Sequence, residues 1–390
     1  MSKRRLILGI LIVGLVVPFA LKSDNVNAFP GSNRDEDCQK LIEQAVMSID
    51  AGQAVENPDC ITDPGLSAMD MRAAYATMQQ YPAPDFPHIA FDESLLTARK
   101  YRRLVGDVQI FSSPNPDAPV VETLPPGYHH VTIGAILDGW VQVGTDRWVK
   151  SENVQQEDVS QLTGVLIDHP LERPFAWMIA PESPSSYPGG PPNEALPKIE
   201  RYTLMNIFGV EVVNGFEWYL IGPNQWIQQL RVAKVKPVQR PTDVGLNDQW
   251  VAVDLFEQTA VAYQGDDMVF ATLVATGLPN WSTQEGLFKI YQRWNTAPMT
   301  GAAGQAEYYL IQNVPWVMYF NNDMALHGAY WHDKFGYRQS RGCVNLSILD
   351  AHWIYEWTQA TPDGAAWVYV YSSGEYRSDL PGWAVRAPRK

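Results

Sequence analysis

His327-Gly328-Ala329-Tyr330-Trp331-His332-Asp333-Lys334-Phe335-Gly336-Tyr337-Arg338-Gln339-Ser340-Arg341-Gly342-Cys343, continued by Val344-Asn345-Leu346-Ser347, concentrates the chemistry of this chain. An imidazole and a thiol each stand beside a glycine, which is what a cysteine nucleophile acting on acyl groups requires. Only the thiolate attacks efficiently, so such a cysteine needs positive potential or a base nearby. Lys334, Arg338 and Arg341 outnumber Asp333 here, inside a chain of net charge −14. The pattern Asp350-Ala351-His352-Trp353-Ile354-Tyr355-Glu356-Trp357 after Ser347 predicts a capped helix whose N-terminal dipole points toward Cys343. His327 or His332 can take the proton, and Gly342 lets the amides around Cys343 form an oxyanion hole.

The other cysteines set Cys343 apart. The chain opens with Lys3, Arg4 and Arg5, an apolar run from Leu6 to Leu21 interrupted by Pro18, and Val26-Asn27-Ala28. That run is short for a spanning helix and predicts a signal peptide over 1–28, the alternative being an uncleaved membrane anchor. An exported chain meets oxidising conditions, where Cys38 and Cys60, flanking a helix-like segment, are close enough to form a small disulfide. Cys343 is then the odd thiol, either buried and inert or kept for its reactivity. The acidic balance of 43 Asp and Glu against 29 Lys and Arg argues against nucleic acid. Fourteen Trp point to well-filled β-domains or carbohydrate-contacting surfaces.

Outward from the quoted stretch, the chain reads as mostly β. Residues 29–98 predict a short helical N-terminal region broken at Asn57-Pro58-Asp59 and Asp63-Pro64-Gly65. Short alternating runs from about Tyr101 predict a small barrel over 99–158. Asp138-Gly139-Trp140, Gly144 and Trp148-Val149 are echoed by Asn214-Gly215-Phe216, Gly222 and Trp226-Ile227, which predicts a second barrel over 159–238. Both resemble bacterial SH3-like modules, and the resemblance implies either glycan contact or a spacer. The Pro-, Ser- and Gly-rich 182–192 predicts an exposed loop. After a linker carrying Pro237 and Pro241, strand-like runs at 250–255, 259–263, 268–275, 308–311, 316–320 and 366–371 enclose the helix, giving a third β-domain over 248–372 and a tail over 373–390.

His327-Gly328, a spacer, then Ser340-Arg341-Gly342-Cys343-Val344-Asn345 resembles the signature of the YkuD-type L,D-transpeptidase catalytic domain, and Trp250-Val251-Ala252-Val253-Asp254-Leu255 is similar to its opening. The resemblance implies a β-sandwich with one or two short helices. It also implies cleavage before the D-Ala at position four of a peptidoglycan stem, with acyl transfer through a cysteine thioester to an amine of another stem. Cys343 then matches the nucleophile, His327 the base and Gly328 the carbonyl that orients it. Ser340, Gly342 and Asn345 match motif positions near the donor, and Tyr319 and Trp331 match aromatic positions of the cleft. Arg341 stands where the family has histidine; its guanidinium either holds a stem carboxylate or is solvated. No cofactor or metal is implied, since the five-residue step from His327 to His332 is not that of a helical zinc peptidase.

The partners implied are stem peptides as donor and acceptor, at an extracytoplasmic, secreted or wall-associated location. Membrane contact is expected only if the leader is uncleaved. Two rivals are a wall-directed cysteine peptidase, whose order of Cys before His this chain reverses, and a wall-binding protein without catalysis.

Overall fold

The computed structural model describes residues 68–302, 305, 308–360 and 366–375. The leader, the Cys38 and Cys60 pair, the helical stretch before Ala68 and the tail beyond 375 lie outside the described residues. Two compact units emerge: Met1–Asp85 with Glu172–Val232 and Ala387–Lys390, and Phe86–Leu171 with Ala233–Arg386.

Helix α1 (Ala68–Gln80) belongs to the first unit and α2 (Glu93–Thr97), capped by Asp92, to the second. The second unit continues with β1 (Tyr101–Leu104), β2 (Val108–Phe111), β3 (Val120–Leu124), β4 (Tyr128–Thr132), β5 (Ile136–Leu137), β6 (Trp140–Gly144), β7 (Arg147–Lys150), β8 (Val154–Gln156) and β9 (Val165–Leu166). Val108, Ile110, Leu124, Val131, Val141 and Val149 build one apolar core there, as expected of alternating strands with one buried face. β3, β2, β7, β6 and β5 form a sheet of their own, whereas β4, β1 and β8 join a different one.

The first unit holds β10 (Phe175–Met178), β11 (Leu204–Asn206), β12 (Gly209–Val213), β13 (Phe216–Gly222) and β14 (Gln225–Gln228), and the start of β15 (Val232–Val235). Asn214 and Gly215, at φ 54° and 80°, close the β12 to β13 hairpin. Both angles are positive, the geometry of a tight turn that matches strand twist and favours Asn-Gly. Met178, Met205, Ile207, Tyr219, Ile221 and Ile227 fill this unit's core.

The C-terminal part of the second unit carries β16 (Gln249–Asp254), β17 (Thr259–Gln264), β18 (Asp267–Leu273), β19 (Gly286–Lys289), β20 (Gln292–Gly301), β21 (Tyr309–Asn321), β22 (Met324–Gly328), β23 (Val344–Leu346), α3 (Ile348–Gln359) and β24 (Trp367–Tyr371). One sheet runs β19-β24-β16-β17-β18-β9. Every residue of β16 is buried, which explains why it reads as a continuous apolar run rather than an alternation. Trp250 stacks on Tyr263 at 4.1 Å and donates its indole N–H to the Gly265 carbonyl.

The second large sheet runs β23-β22-β21-β4-β1-β8, with β20 also on β21. It crosses the boundary that the sequence suggests between residues 99–158 and 248–372. Tyr309, Leu310 and Ile311 pair in parallel with Tyr128, His129 and His130. The two runs expected at 308–311 and 316–320 form one strand, β21, which turns locally at Asn313 (φ 49°) and Trp316 (φ 56°). Its first part faces β4 and its later part β22. The architecture is mostly β, as the sequence predicts.

Candidate active site

β22 and β23 pair in parallel, Leu326 with Val344 and His327 with Asn345. This single ladder brings together two residues sixteen positions apart in the quoted stretch: His327 stands on β22, and Cys343 is the residue just before β23. Both line a cleft of about 630 Å³ together with Tyr128, Tyr319, Trp331 and Arg341.

Burial sets the protonation states. His327 is 1% exposed, and loss of water pulls its imidazole down to about 4. Its Nδ1 lies 3.2 Å from the Gly328 carbonyl, an acceptor, so Nδ1 carries the proton and Nε2 keeps a free lone pair. Burial likewise pushes the Cys343 thiol up to about 11, against a hydrogen bond from the Ala325 amide and with the Asp323 charge adding to the rise. The thiol donates to the Asp323 carbonyl at 3.6 Å. The resting pair is therefore a neutral thiol and a neutral imidazole.

That corrects the expectation of a thiolate held by local positive charge. The helix dipole is displaced, because α3 begins at Ile348 and β23 lies between it and Cys343. Four residues of extended chain place the Ser347 Cα about 13 Å along from the Cys343 Cα, and the Ser347 hydroxyl caps the helix by accepting the Asp350 amide.

Gly342 also departs from its expected part. Its amide donates to Ser340 Oγ at 3.1 Å, while the same hydroxyl donates to the Cys343 carbonyl at 2.5 Å. In this structure that N–H is engaged by Ser340 rather than open to the cleft. What the position needs is its backbone: φ is +120°, in the region glycine alone adopts without strain. Gly328 is required for a different reason. A Cβ there would lie 2.9 Å from Pro315 and 3.2 Å from the Ile348 backbone.

Ser340 and Thr283 brace the cysteine loop. Thr283 Oγ1 accepts the Gly277 amide and donates to the Gly342 carbonyl at 2.8 Å. Nothing in the sequence pattern singled out Thr283. His332 is tied elsewhere: its Nδ1 accepts the Lys334 amide at 3.2 Å, and its Nε2 lies 2.8 Å from the Asn345 amide group. With Nδ1 accepting, Nε2 must carry the proton and needs an acceptor. Turning the Asn345 amide to present Oδ1 supplies it, and pairs an oxygen otherwise buried without a partner. His332 and Asn345 thus support one another, and Asn345 lines the cleft.

Trp331 packs 5.7 Å from the His327 ring. The Arg341 guanidinium lies over two rings, Tyr309 at 4.6 Å and Trp281 at 5.1 Å. Tyr309 and Tyr319 have their phenols pushed up by burial first and by Cys343 second, so both remain donors beside the thiol.

Residues 248–370 match the family model described as the YkuD L,D-transpeptidase catalytic domain. This segment is an L,D-transpeptidase catalytic domain. Among solved structures the chain is similar to an L,D-transpeptidase from Mycobacterium smegmatis (20% identity, TM-score 0.30, 32% of this chain and 59% of that one). It is also similar to a mutant Enterococcus faecium L,D-transpeptidase (21%, 0.29, 32% and 50%) and to an L,D-transpeptidase from Stackebrandtia nassauensis (28%, 0.26, 33% and 58%). The chain thus spans between half and three-fifths of the length of these proteins. None of the curated proteins compared with the chain matches it.

Within the L,D-transpeptidase domain, the cleft gathers His327, Cys343, Ser340, Arg341, Trp331, Tyr319 and Asn345. Tyr128, Tyr309, Asp323 and Thr283 complete the surroundings, and the sequence reading missed all four. Tyr128 and Tyr309 reach the site through the pairing of β4 with β21, a long-range contact that leaves no local signature.

Proposed function

We propose that the protein is a peptidoglycan L,D-transpeptidase with Cys343 as nucleophile and His327 as general base. The observation that carries this reading is the β22 to β23 ladder, which sets an imidazole with a free Nε2 and the one free cysteine among the described residues into a single cleft. As Sγ attacks the stem carbonyl before D-Ala at position four, His327 Nε2 takes the thiol proton. The tetrahedral intermediate collapses with loss of the C–N bond, and His327 returns the proton to the departing D-Ala amine. An acceptor amine then attacks the thioester and gives a proton to His327, which passes it to Sγ as the C–S bond breaks and the thiol of Cys343 is restored. No preformed thiolate is required.

The donor and acceptor are stem peptides, and the location is extracytoplasmic, as the leader at 1–28 suggests. The SH3-like resemblance of 99–158 and 159–238 supports contact with wall glycan. Incubating the full chain with purified sacculi and analysing the muropeptides tests the function. Dimers joined through third residues, exchanged terminal D-amino acids or shortened stems support it; unchanged muropeptides alongside binding to sacculi would favour a wall-binding protein without catalysis.

A further inference from the structure

The strands at 101–156 do more than precede the catalytic segment. β4 lies against the first part of β21, with Tyr128 opposite Tyr309, and Tyr128 lines the same cleft as Cys343 and Arg341. Several contacts fix this placement. Thr132 donates its amide to Gln312 Oε1 at 3.3 Å and accepts from Asn313 Nδ2 through its hydroxyl at 2.6 Å. Gln312 Nε2 donates to the Val143 carbonyl at 3.1 Å. Tyr101 stacks on Tyr330 at 3.9 Å, and the Tyr330 hydroxyl donates to the Gln312 carbonyl at 2.8 Å. Strand pairing and the side chains of Tyr101, Thr132, Gln312, Asn313 and Tyr330 thus hold this region and the catalytic strands as one piece.

Tyr128 itself is fixed from two sides. The Gln339 side chain, two residues before Arg341, reaches its phenol and acts on it electrostatically. Its ring meets His130 edge-on at 4.4 Å, and His130 Nδ1 is 2.9 Å from Glu157 Oε1. A ring that is 37% exposed, packed against His130 and lining a cleft is a preorganised contact surface rather than a core residue.

We propose that Tyr128 is a specificity-determining residue of the transpeptidase cleft: it contacts the acyl-donor peptide away from the scissile bond, and the β-region before the catalytic segment is a fixed wall of the active site. The proposal rests on the transpeptidase reading for its ligand but not for its geometry, and two measurements on the full chain separate them.

The first is Cys343 alkylation by a small reagent, iodoacetamide, and a bulky one, fluorescein maleimide. Tyr128→Ala is expected to leave the iodoacetamide rate within about twofold and to raise the maleimide rate at least fivefold. An unchanged ratio of the two rates overturns the wall, whatever reaction the enzyme performs. A fall in the iodoacetamide rate would show general damage, and Tyr128→Leu and Tyr128→Phe then give the same comparison with most of the ring volume kept.

The second is steady-state turnover of a stem tetrapeptide ending in D-Ala. Tyr128→Ala is expected to raise KM about tenfold with kcat within twofold, since a contact remote from the reacting atoms binds ground and transition states alike. Tyr128→Phe is expected to recover most of the loss. Equal KM values in all three proteins overturn the specificity role. Failure of the wild type itself to turn over the tetrapeptide overturns the transpeptidase reading, while the alkylation ratio still decides whether Tyr128 walls the cleft.

Discussion

At the residue scale the cleft holds a thiol pushed up to about 11 and an imidazole pulled down to about 4. Between those values neither group is charged, so reactivity toward a simple electrophile follows the small thiolate fraction. Alkylation of Cys343 by iodoacetamide is expected to rise about tenfold per pH unit from pH 7 to 10. A rate that is already level between pH 5 and 8 would mean a preformed thiolate and imidazolium pair. The two histidines separate in the same assay of acylation. On the proposed mechanism His327→Ala removes the base and should cost at least about a hundredfold, whereas His332→Ala disturbs the support of Asn345 and the Lys334 amide and should cost less than about tenfold. His327 and Cys343 were legible because their motif is local. The Ser340 hydroxyl that takes up the Gly342 amide could not be read, because it depends on a loop conformation that spacing does not encode.

At the element scale, the ends of β22 and β23 position His327 and Cys343, and α3 packs against β21, β22 and β23. Ser347 as the helix cap could be read from sequence, since a serine before a helical apolar pattern satisfies an orphan amide. The role of Asp350 could not be read, because its partners lie far away in the chain. Oδ1 accepts the Gly164 amide at 2.7 Å and Oδ2 the Thr272 hydroxyl at 2.5 Å. Burial outweighs these hydrogen bonds and pushes the carboxyl up to about 6. Its pKa in the folded state is thus above that of the unfolded chain, so the folded state binds the extra proton. The stability Asp350 contributes is lost as pH rises from about 4 to about 6. Urea unfolding should show the difference between Asp350→Asn and wild type moving in the variant's favour across that interval and levelling above it. A difference that does not change with pH would contradict the assignment.

At the scale of the whole second unit, the catalytic domain is not closed by its own strands. The first residues of β21 find their partner in β4, and the sheet continues through β1 to β8. Composition and alternation gave the mostly β class and located both β-rich regions. They could not reveal that one sheet spans the two, because a pairing between residues 128 and 309 follows from three-dimensional register alone. Residues 248–372 expressed alone are expected to expose the Tyr309 to Ile311 edge and Ile311, which is 4% exposed in the full chain, to water. An unpaired edge of this kind favours association. Light scattering should show aggregates or oligomers of the fragment; a stable monomer that acylates at the full chain's rate would contradict a shared active site.

On the proposed mechanism Cys343, served by His327, becomes the acyl carrier. Intact-mass and peptide-level spectrometry of the full chain, quenched in acid after mixing with a stem tetrapeptide ending in D-Ala, tests it most directly. The expected result is an adduct equal to the tetrapeptide minus D-Ala, located on Cys343, absent from Cys343→Ala and strongly reduced in His327→Ala. An adduct on any other residue, or one formed undiminished by His327→Ala, would contradict the account.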